Sequence, residues 1–184
     1  MPINNLDQLS IEELAVLISE RINNSGVKVT LSGGACAQIY SNSEYVTADL
    51  DFVENYSWHD NQKKIESIMS ELGFEKKGRI FLNNSVQYSV EFPPGPLEIG
   101  EESPITPVNM LVNNKKLLLL SPTDSVKDRL TGYFYGNDLQ CLEQALMICK
   151  MNTVDRKNIE KWLEKESPIE RINEFLKRLD DIFE

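Results

Sequence analysis

Two aspartates, Asp49 and Asp51, lie one residue apart in the otherwise apolar segment 48–53. The composition of this segment is typical of a β-strand. Because alternate strand residues point to the same face, the two carboxylates should project together. Two carboxylates that close repel each other unless a cation shares them. Mg²⁺ prefers such oxygen ligands and keeps water or substrate phosphates as its others. The pattern predicts a divalent-metal site; two solvated acids on an exposed strand are the alternative.

A third acid, Glu91, lies near the end of another expected strand, in Ser89-Val90-Glu91-Phe92. If that strand lies beside the aspartate pair, the third carboxylate completes a site able to hold two metal ions. Two ions can activate an attacking hydroxyl and stabilise the leaving oxygen of a phosphoryl displacement. An ordinary surface glutamate is the alternative interpretation of Glu91.

Two glycines follow the expected strand 27–31, in the turn Ser32-Gly33-Gly34 that leads into a short helical segment at 35–40. Glycines let backbone amides approach a phosphate closely, and a helix N-terminus attracts an anion. The spacing matches neither the P-loop nor the dinucleotide-binding Gly-x-Gly-x-x-Gly pattern. The turn indicates a phosphate-binding loop, with a purely steric role for the glycines as the alternative.

The rest of the sequence predicts the helices and strands that position these residues. A capping box at Ser10–Glu13 and apolar residues at helical spacing predict a first helix that ends near Gly26. A second amphipathic helix is expected before Gly73, and further strands are expected around residues 79–82, 86–92, 110–112 and 117–120. Asn83-Asn84 and Asn113-Asn114 are candidate turns between strands. This arrangement predicts a mixed sheet with flanking helices over residues 1–120.

The character of the sequence changes at Ser121. Ser121-Pro122-Thr123-Asp124 has a capping residue, a proline at the first helical position and an acid in the first turn. Helices are predicted at about 122–134, 138–151, 154–165 and 168–183, the last with the same start signal at Ser167-Pro168. We therefore expect an α+β protein in which a helical C-terminal part, residues 121–184, packs on the core as a bundle.

Composition narrows the classes of function. The 184 residues include 19 basic and 29 acidic side chains, a formal net charge of −10. Because coating nucleic acid requires clustered Lys and Arg, no extensive nucleic-acid surface is predicted. No segment approaches the ~20 apolar residues of a membrane span, and no signal peptide is recognisable at the N-terminus. The three cysteines, Cys36, Cys141 and Cys149, have apolar neighbours and predict buried thiols, so we expect a cytoplasmic protein.

The order of these motifs resembles the DNA polymerase β-like nucleotidyltransferase superfamily. The resemblance rests on Gly33-Gly34-Ala35, then Thr47-x-Asp49-Leu50-Asp51-Phe52, then the strand that carries Glu91. It covers roughly residues 27–147. Within the superfamily, the chain is most similar to small bacterial nucleotidyltransferases related to toxins of abortive-infection and toxin–antitoxin systems. The resemblance therefore implies a nucleotidyltransferase-like fold and a toxin or defence role.

The resemblance also implies roles for individual residues. Asp49, Asp51 and Glu91 would be the catalytic carboxylates and would ligate Mg²⁺, with two ions expected. Ser32, Gly33 and Gly34 would bind the nucleoside triphosphate. Lys127 matches a lysine that reaches the triphosphate in similar enzymes, and a point cation there suits a polyphosphate leaving group. A surface lysine paired with Asp124 or Asp128 is the alternative interpretation of Lys127.

The leading hypothesis is thus a metal-dependent nucleotidyltransferase that transfers a nucleotidyl group from a nucleoside triphosphate to a hydroxyl acceptor. RNA, protein and small-molecule acceptors all remain open at this stage. The main alternative is a non-catalytic, antitoxin-like binding protein that retains the fold and binds a partner protein through its helical part. A metal-dependent phosphohydrolase is a third hypothesis.

Overall fold

The computed structural model describes residues 6–54, 58–166 and 168–183, with residues 58–60 described by their backbone alone. The helices are α1 Ile11–Asn24, α2 Gly33–Tyr40, α3 Trp58–Glu71, α4 Pro122–Gly136, α5 Leu139–Met151, α6 Arg156–Leu163 and α7 Ile169–Phe183. The strands are β1 Val29–Ser32, β2 Asp49–Glu54, β3 Glu75–Lys77, β4 Ile80–Leu82, β5 Ser89–Glu91, β6 Val108–Val112 and β7 Lys115–Leu119.

All seven strands form one mixed sheet in the order β3-β4-β5-β2-β1-β7-β6. β2 is parallel to β5 and antiparallel to β1, and these three strands form the centre of the sheet. β1 is also parallel to β7, whereas β3 with β4 and β6 with β7 form antiparallel pairs. The predicted α+β class, with a mixed sheet, flanking helices and C-terminal helices, is confirmed.

The central strands are held by apolar burial. Every residue of β1 is buried, and Leu50 and Phe52 of β2 are fully buried on one face of the sheet. Asp49 and Asp51 alternate with them, so the prediction that the aspartates share a face is confirmed. α1 packs on β1, β7 and α3, whereas α2 packs on β1 and β2 and contacts α4 and α5. The sheet thus presents its two acids on the face opposite its apolar side chains.

The ends of several elements follow the predicted local signals. Ser10 and Glu13 form the capping box of α1, and Gly26 after that helix has a positive φ of 87°. Asn113 and Asn114 both adopt positive φ in the β6–β7 hairpin, as its two-residue turn requires. Ser121 accepts a hydrogen bond from the Asp124 amide and caps α4. The predicted cap Ser167 lies outside the described residues.

Several boundaries differ from the prediction. β3 was not expected, because Glu75-Lys76-Lys77 is wholly charged and exposed; as an edge strand it needs no buried face. α3 begins at Trp58, well before Ile65, the first of the apolar residues from which the helix was predicted. The strand predicted at 86–92 is reduced to Ser89–Glu91, because Asn83 forms a turn that accepts hydrogen bonds from the Ser85 and Val86 amides.

Side-chain hydrogen bonds connect the helical segment 122–183, and residue 120 just before it, to earlier parts of the chain. The Tyr40 hydroxyl donates to the Leu120 carbonyl at 2.7 Å, and the Asn152 amide donates to the Tyr40 carbonyl at 2.7 Å. The Trp162 indole donates to the Ile99 carbonyl at 3.3 Å. The three cysteines are buried and unpaired, as predicted. None of the helices among the described residues has the length and apolar character that crossing a membrane requires.

Candidate active site

Strand register brings the three predicted carboxylates to neighbouring positions. β2 and β5 are parallel and pair Asp51 with Glu91, and Asp49 with Ser89. On the other side of β2, Ser32 at the end of β1 pairs with Asp51. Paired residues of adjacent strands lie on the same face and about 5 Å apart. Residues that are far apart in sequence, at positions 32, 51 and 91, therefore form one row across the centre of the sheet.

The Gly33 loop closes directly on this row. Gly33 has a φ of 70°, a conformation that glycine adopts without strain. A Cβ atom at Gly33 would overlap the carboxylate of Asp51, and one at Gly34 would lie only 2.9 Å from the Thr47 hydroxyl. The glycines are thus needed for the close approach of the loop to β2. Both interpretations of the two glycines, steric and phosphate-binding, require the loop to lie this close to β2.

The N-terminus of α2 lacks a side-chain cap. Ser32 occupies its N-cap position, but its side chain makes no capping hydrogen bond; its hydroxyl donates instead to the Asp51 carbonyl at 3.3 Å. The first backbone amides of a helix have no partner within the helix, and uncapped amides are available to bind an anion. The loop that contacts Asp51 therefore presents the donor groups that a phosphate requires.

Two further hydroxyls, which the sequence hypothesis did not assign, orient Asp49. The Ser89 hydroxyl donates a short hydrogen bond to Asp49 Oδ1. The Thr47 hydroxyl accepts from the Asp49 amide at 3.3 Å, and the Thr47 amide donates to Gln38 Oε1 at 2.8 Å. These contacts fix the chain where it enters β2. The signal for Ser89 was its i−2 spacing from Glu91, which places it on the same strand face.

The environment of Asp51 opposes its ionisation. Burial raises the pKa of Asp51 to about 6 from its ordinary 3.8, and the charges of Asp49 and Glu91 act in the same direction. Asp128 adds to the rise, while the positive charge of Arg129 lowers the pKa. A carboxylate that is desolvated beside two other acids is the arrangement that a bound cation would relieve. Carboxyl oxygens are also the donor type that Mg²⁺ prefers.

The donor chemistry fits Mg²⁺, but the side chains do not form a ready-made ligand cage. Among residues 6–54, 58–166 and 168–183, no three His, Cys, Asp or Glu side chains are grouped so that they could hold a metal ion. Asp49, Asp51 and Glu91 occupy adjacent register positions, so rotations of their side chains, rather than a change of fold, would bring their oxygens together. The two-ion site stays a prediction.

Lys127, the predicted triphosphate ligand, is buried rather than exposed. Its side chain is 1% exposed, and its Nζ pairs with Glu102 Oε2 at 2.6 Å and with Asp124 Oδ1 at 2.9 Å. The alternative pairing with Asp124 is therefore present, although on a buried lysine rather than a surface one. Within the described residues Lys127 makes no ion pair with Asp49, Asp51 or Glu91. Its position links α4 to the loop that contains Glu102.

Arg129, two residues further along α4, is the basic residue that acts on Asp51. Its Nη2 pairs with Asp128 Oδ2 at 2.7 Å, and its Nη1 donates to Gln144 Oε1 at 3.4 Å. Its side chain is 18% exposed, and its charge is close enough to lower the pKa of Asp51. The sequence hypothesis had no role for Arg129 in this site. No local motif distinguishes it from Lys127; only the rotation of α4 relative to the sheet does.

Comparison with known proteins supports the fold. Neither a protein-family model nor a curated protein matches the sequence. An antigenic nucleotidyltransferase-like protein from Paracoccidioides brasiliensis is 11% identical, with 92% of each chain covered and a TM-score of 0.63. The antibiotic-resistance factor ANT(2'')-Ia is 13% identical, with 74% of this chain and 83% of that chain covered and a TM-score of 0.51.

These similarities define the class of fold. The mixed sheet, its flanking helices and the C-terminal helices make up a nucleotidyltransferase-like fold, as the sequence resemblance implied. The three carboxylates and the glycine loop lie together at the centre of that fold. The relation to abortive-infection and toxin–antitoxin toxins is not tested by these neighbours and stays a prediction.

Proposed function

We propose that the protein is an Mg²⁺-dependent nucleotidyltransferase. In the reaction, an acceptor hydroxyl oxygen forms a bond to the α-phosphorus of a nucleoside triphosphate. The bond from that phosphorus to the α–β bridging oxygen breaks, and pyrophosphate leaves. The hydroxyl proton passes to a carboxylate of the protein. Mg²⁺, when bound, neutralises phosphate charge and stabilises the leaving oxygen.

One observation carries the proposal: Asp51 lies between Ser32 and Glu91 in the sheet, with the Gly33 loop against its carboxylate. The arrangement sets a phosphate-binding loop beside two candidate metal ligands. It also places a third carboxylate on the neighbouring strand. Positioning and charge stabilisation of this kind account for most of the catalysis in phosphoryl and nucleotidyl transfer.

Each residue has a distinct role in this proposal. The backbone amides of Gly33 and Gly34 and the hydroxyl of Ser32 bind the triphosphate. Asp49 and Asp51 hold Mg²⁺, and Glu91 both completes the metal site and accepts the proton of the attacking hydroxyl. The cation that faces the phosphates comes from α4: the resemblance favours Lys127, whereas the electrostatic contact with Asp51 favours Arg129.

Thermal denaturation with ligands tests the nucleotide and metal sites directly. We expect Mg²⁺ together with a nucleoside triphosphate to raise the melting temperature, since a ligand that binds only the folded state stabilises it. The double variant Asp49→Asn with Asp51→Asn should lose this shift. Asp181→Asn, which removes an exposed acid of α7, is the matched control and should keep it.

Transfer itself is tested by incubation with labelled nucleoside triphosphates, Mg²⁺ and a total lysate. Label that enters RNA, protein or a small molecule identifies the acceptor, and the double aspartate variant should lose about 10³-fold or more of this activity. Release of free nucleotide without transfer would instead indicate a phosphohydrolase. If millimolar nucleotide with Mg²⁺ produces no thermal shift and no label moves, the transferase proposal is wrong.

The proposed toxin or defence role is tested in cells. Expression should arrest bacterial growth, and the double aspartate variant should relieve the arrest if transfer causes it. Stable association with a partner protein that is unaffected by both aspartate substitutions would favour the antitoxin-like alternative. Growth arrest that persists in the double variant would likewise separate any toxicity from catalysis.

A further inference from the structure

Two hydroxyl groups lie against Gly34, the second glycine of the loop. A Cβ atom at Gly34 would lie 2.9 Å from the Thr47 hydroxyl and 3.5 Å from the hydroxyl of Tyr45. A Cβ atom at Gly33 would instead overlap the carboxylate of Asp51. The loop therefore runs from the carboxylates, which it contacts at Gly33, to these two hydroxyls, which it contacts at Gly34.

Both hydroxyls lie towards the N-terminal end of α2. The bond from Cα to Cβ of a helical residue tilts towards the N-terminus of the helix. Gly34 is in the first turn of α2, so a group that contacts its Cβ position is displaced towards the backbone amides that lack a cap. A phosphate that accepts hydrogen bonds from these amides would therefore come within reach of the same hydroxyls.

The two hydroxyls have protons left to donate. The Tyr45 hydroxyl makes no hydrogen bond with the described residues. Thr47 is 9% exposed, and its hydroxyl accepts from the Asp49 amide, but no described residue accepts the proton of that hydroxyl. Most buried polar groups use their hydrogen-bonding capacity. The proton of Ser32 is used in this way, since it is donated to the Asp51 carbonyl.

The segment that carries both side chains is fixed to α2. The Tyr45 amide donates to Ser41 Oγ at 3.2 Å, and the Thr47 amide donates to Gln38 Oε1 at 2.8 Å. The side chain of Tyr45 also packs on the hydrophobic core. Because these contacts hold the hydroxyls in place before a ligand arrives, little conformational entropy is lost when a ligand binds.

This part of the chain can offer an anion only neutral donors. The sequence contains no lysine or arginine between Lys28 and Lys63, a stretch that includes the glycine loop, both hydroxyls and β2. Arg129, the cation that acts on Asp51, comes from α4. The local contacts to a phosphate at Gly34 are therefore hydrogen bonds from amides and hydroxyls.

We propose that Tyr45 binds the pyrophosphate part of the nucleoside triphosphate, with Thr47 beside it. The inference rests on the proposed transferase function, because that function puts the α-phosphorus at the carboxylates of Asp49 and Asp51. A triphosphate that follows the loop from there has its β- and γ-phosphates at Gly34. The two hydroxyls then stabilise the negative charge that develops on pyrophosphate as it leaves.

Calorimetric titration with inorganic pyrophosphate and Mg²⁺ tests this role without a nucleotide. Tyr45→Phe removes the hydroxyl and keeps the ring that packs on the core. We expect pyrophosphate to bind this variant about tenfold more weakly than the wild type, the effect of losing one hydrogen bond to a charged group. The melting temperature without ligand should be unchanged, since no described residue bonds to the hydroxyl. Tyr133→Phe, which removes the hydroxyl that bonds Glu174, is the matched control and should bind pyrophosphate as the wild type does.

Nucleotides distinguish the pyrophosphate part from the α-phosphate. For adenosine, guanosine, cytidine and uridine nucleotides with Mg²⁺, Tyr45→Phe should weaken binding of the triphosphate and leave binding of the monophosphate unchanged. Equal weakening of both would put the hydroxyl at the α-phosphate and overturn the assignment. Equal binding of pyrophosphate to the wild type and to Tyr45→Phe, or no binding to the wild type at millimolar concentration, would also overturn it.

These failures are distinct from failure of the transferase proposal. If the protein transfers label and Tyr45→Phe binds pyrophosphate as tightly as the wild type, the protein is a transferase in which Tyr45 is not a ligand. A lower melting temperature of unliganded Tyr45→Phe would show that the hydroxyl supports the loop rather than the ligand. Weaker pyrophosphate binding to Tyr45→Phe, in a protein that shows neither a thermal shift with nucleotide nor transfer, would support the pyrophosphate contact and refute the transferase.

Discussion

Asp51 in the sheet and Glu143 in the C-terminal helices have opposite electrostatic surroundings. Burial and the neighbouring acids raise the pKa of Asp51 to about 6. On α5, a hydrogen bond from Arg178 lowers the pKa of Glu143 below its ordinary value. Arg178 donates to both Glu143 oxygens, at 2.6 and 2.7 Å. The first arrangement opposes ionisation, whereas the second stabilises it.

This contrast indicates where charge serves stability and where it serves chemistry. In the helical segment, ion pairs join α6 to α7 through Arg156 and Asp180, and α5 to α7 through Glu143 and Arg178. In the centre of the sheet, Asp51 lies beside two other acids, and Arg129, whose charge lowers the pKa of Asp51, is itself paired with Asp128. A protein retains such an uncompensated site when a ligand supplies the missing charge. The predictions below test this difference between the two regions.

The largest structural effect is expected from Gly33→Ala. Alanine would adopt a left-handed backbone conformation and place a methyl group against the Asp51 carboxylate. We expect a loss of about 3 kcal/mol in the free energy of unfolding, together with loss of nucleotide binding. Urea denaturation and the ligand-induced thermal shift measure the two effects.

Gly26→Ala is the matched control. Gly26 also has positive φ, but a Cβ there would meet nothing within 4 Å, so the cost should be about 1 kcal/mol from backbone strain alone. Nucleotide binding should be unchanged in this variant. Equal destabilisation by the two substitutions would show that the contact between Gly33 and Asp51 has no energetic consequence.

The next effect concerns the charge of Asp51. Because its pKa is about 6 in the folded protein and 3.8 ordinarily, the folded state holds a proton that the unfolded state has released between these values. Stability should therefore fall as the pH rises through this window and stay low above it. Asp51→Asn should make the ligand-free protein more stable at neutral pH, by up to about 3 kcal/mol.

Urea denaturation of the wild type and of Asp51→Asn at a series of pH values measures this effect. The difference should vanish well below the ordinary pKa of 3.8, where Asp51 is protonated in both the folded and the unfolded state. The same variant should lose the stabilisation by Mg²⁺ and nucleotide, so that stability rises while binding falls. If Asp51→Asn is less stable than the wild type at neutral pH, then the ionised Asp51 carboxylate does not destabilise the folded protein.

The two basic residues of α4 should separate into different roles. Lys127→Met leaves Glu102 and Asp124 without their shared cation, and should destabilise the protein by about 2 kcal/mol, less than a fully buried pair because Glu102 is 40% exposed. Arg129→Met removes the cation beside Asp51 and should lower kcat/KM about 10–100-fold. Steady-state kinetics and melting temperatures of both variants distinguish the roles.

A larger rise in the nucleotide KM for Lys127→Met than for Arg129→Met would favour the assignment from sequence resemblance. The opposite result would favour the assignment from electrostatic contact. Arg129→Lys is the conservative control, since it keeps the charge but not the bidentate contact with Asp128. Recovery of activity in Arg129→Lys would show that charge at this position, rather than the shape of the guanidinium, is required.

The comparison of the two regions also shows which features of the fold and the site could be predicted from the sequence. Alternation in the segment 48–53 and the capping signals at Ser10 and Ser121 are local, and they correctly predicted the face of the aspartates and the starts of α1 and α4. The pairing of Asp51 with Glu91 depends on register between strands that are 40 residues apart in the chain, so the sequence only allowed it as a condition. The motifs occur in the same order as in the superfamily that the sequence resembles, and this order was the reason to consider the pairing at all.

What the sequence could not provide depends on tertiary packing. The choice between Lys127 and Arg129 follows from the orientation of α4, which is set by contacts with α2 and α5 and has no local signature. β3 lacks an apolar pattern because it lies at the sheet edge, so no alternation in the sequence indicates a strand there. The raised pKa of Asp51 likewise depends on burial, which a sequence does not measure.

The smallest effect is expected in the helical segment, from Arg178→Gln. The pair with Glu143 is bidentate, but the two side chains are 38% and 51% exposed, so its loss should destabilise the protein by only about 0.5–1 kcal/mol. The lowered pKa of Glu143 means that its contribution is present above the ordinary 4.5 and is lost as the pH falls below that value. High salt should shrink the difference from wild type, because exposed pairs are screened. Urea denaturation at two pH values and two salt concentrations measures both dependences. The pH dependence should be opposite to that of Asp51, because the contribution of this pair is lost as the pH falls, whereas the Asp51 effect lowers stability as the pH rises. If Arg178→Gln instead matched the size and pH direction of the Asp51 effect, the electrostatic difference between the two regions would not exist.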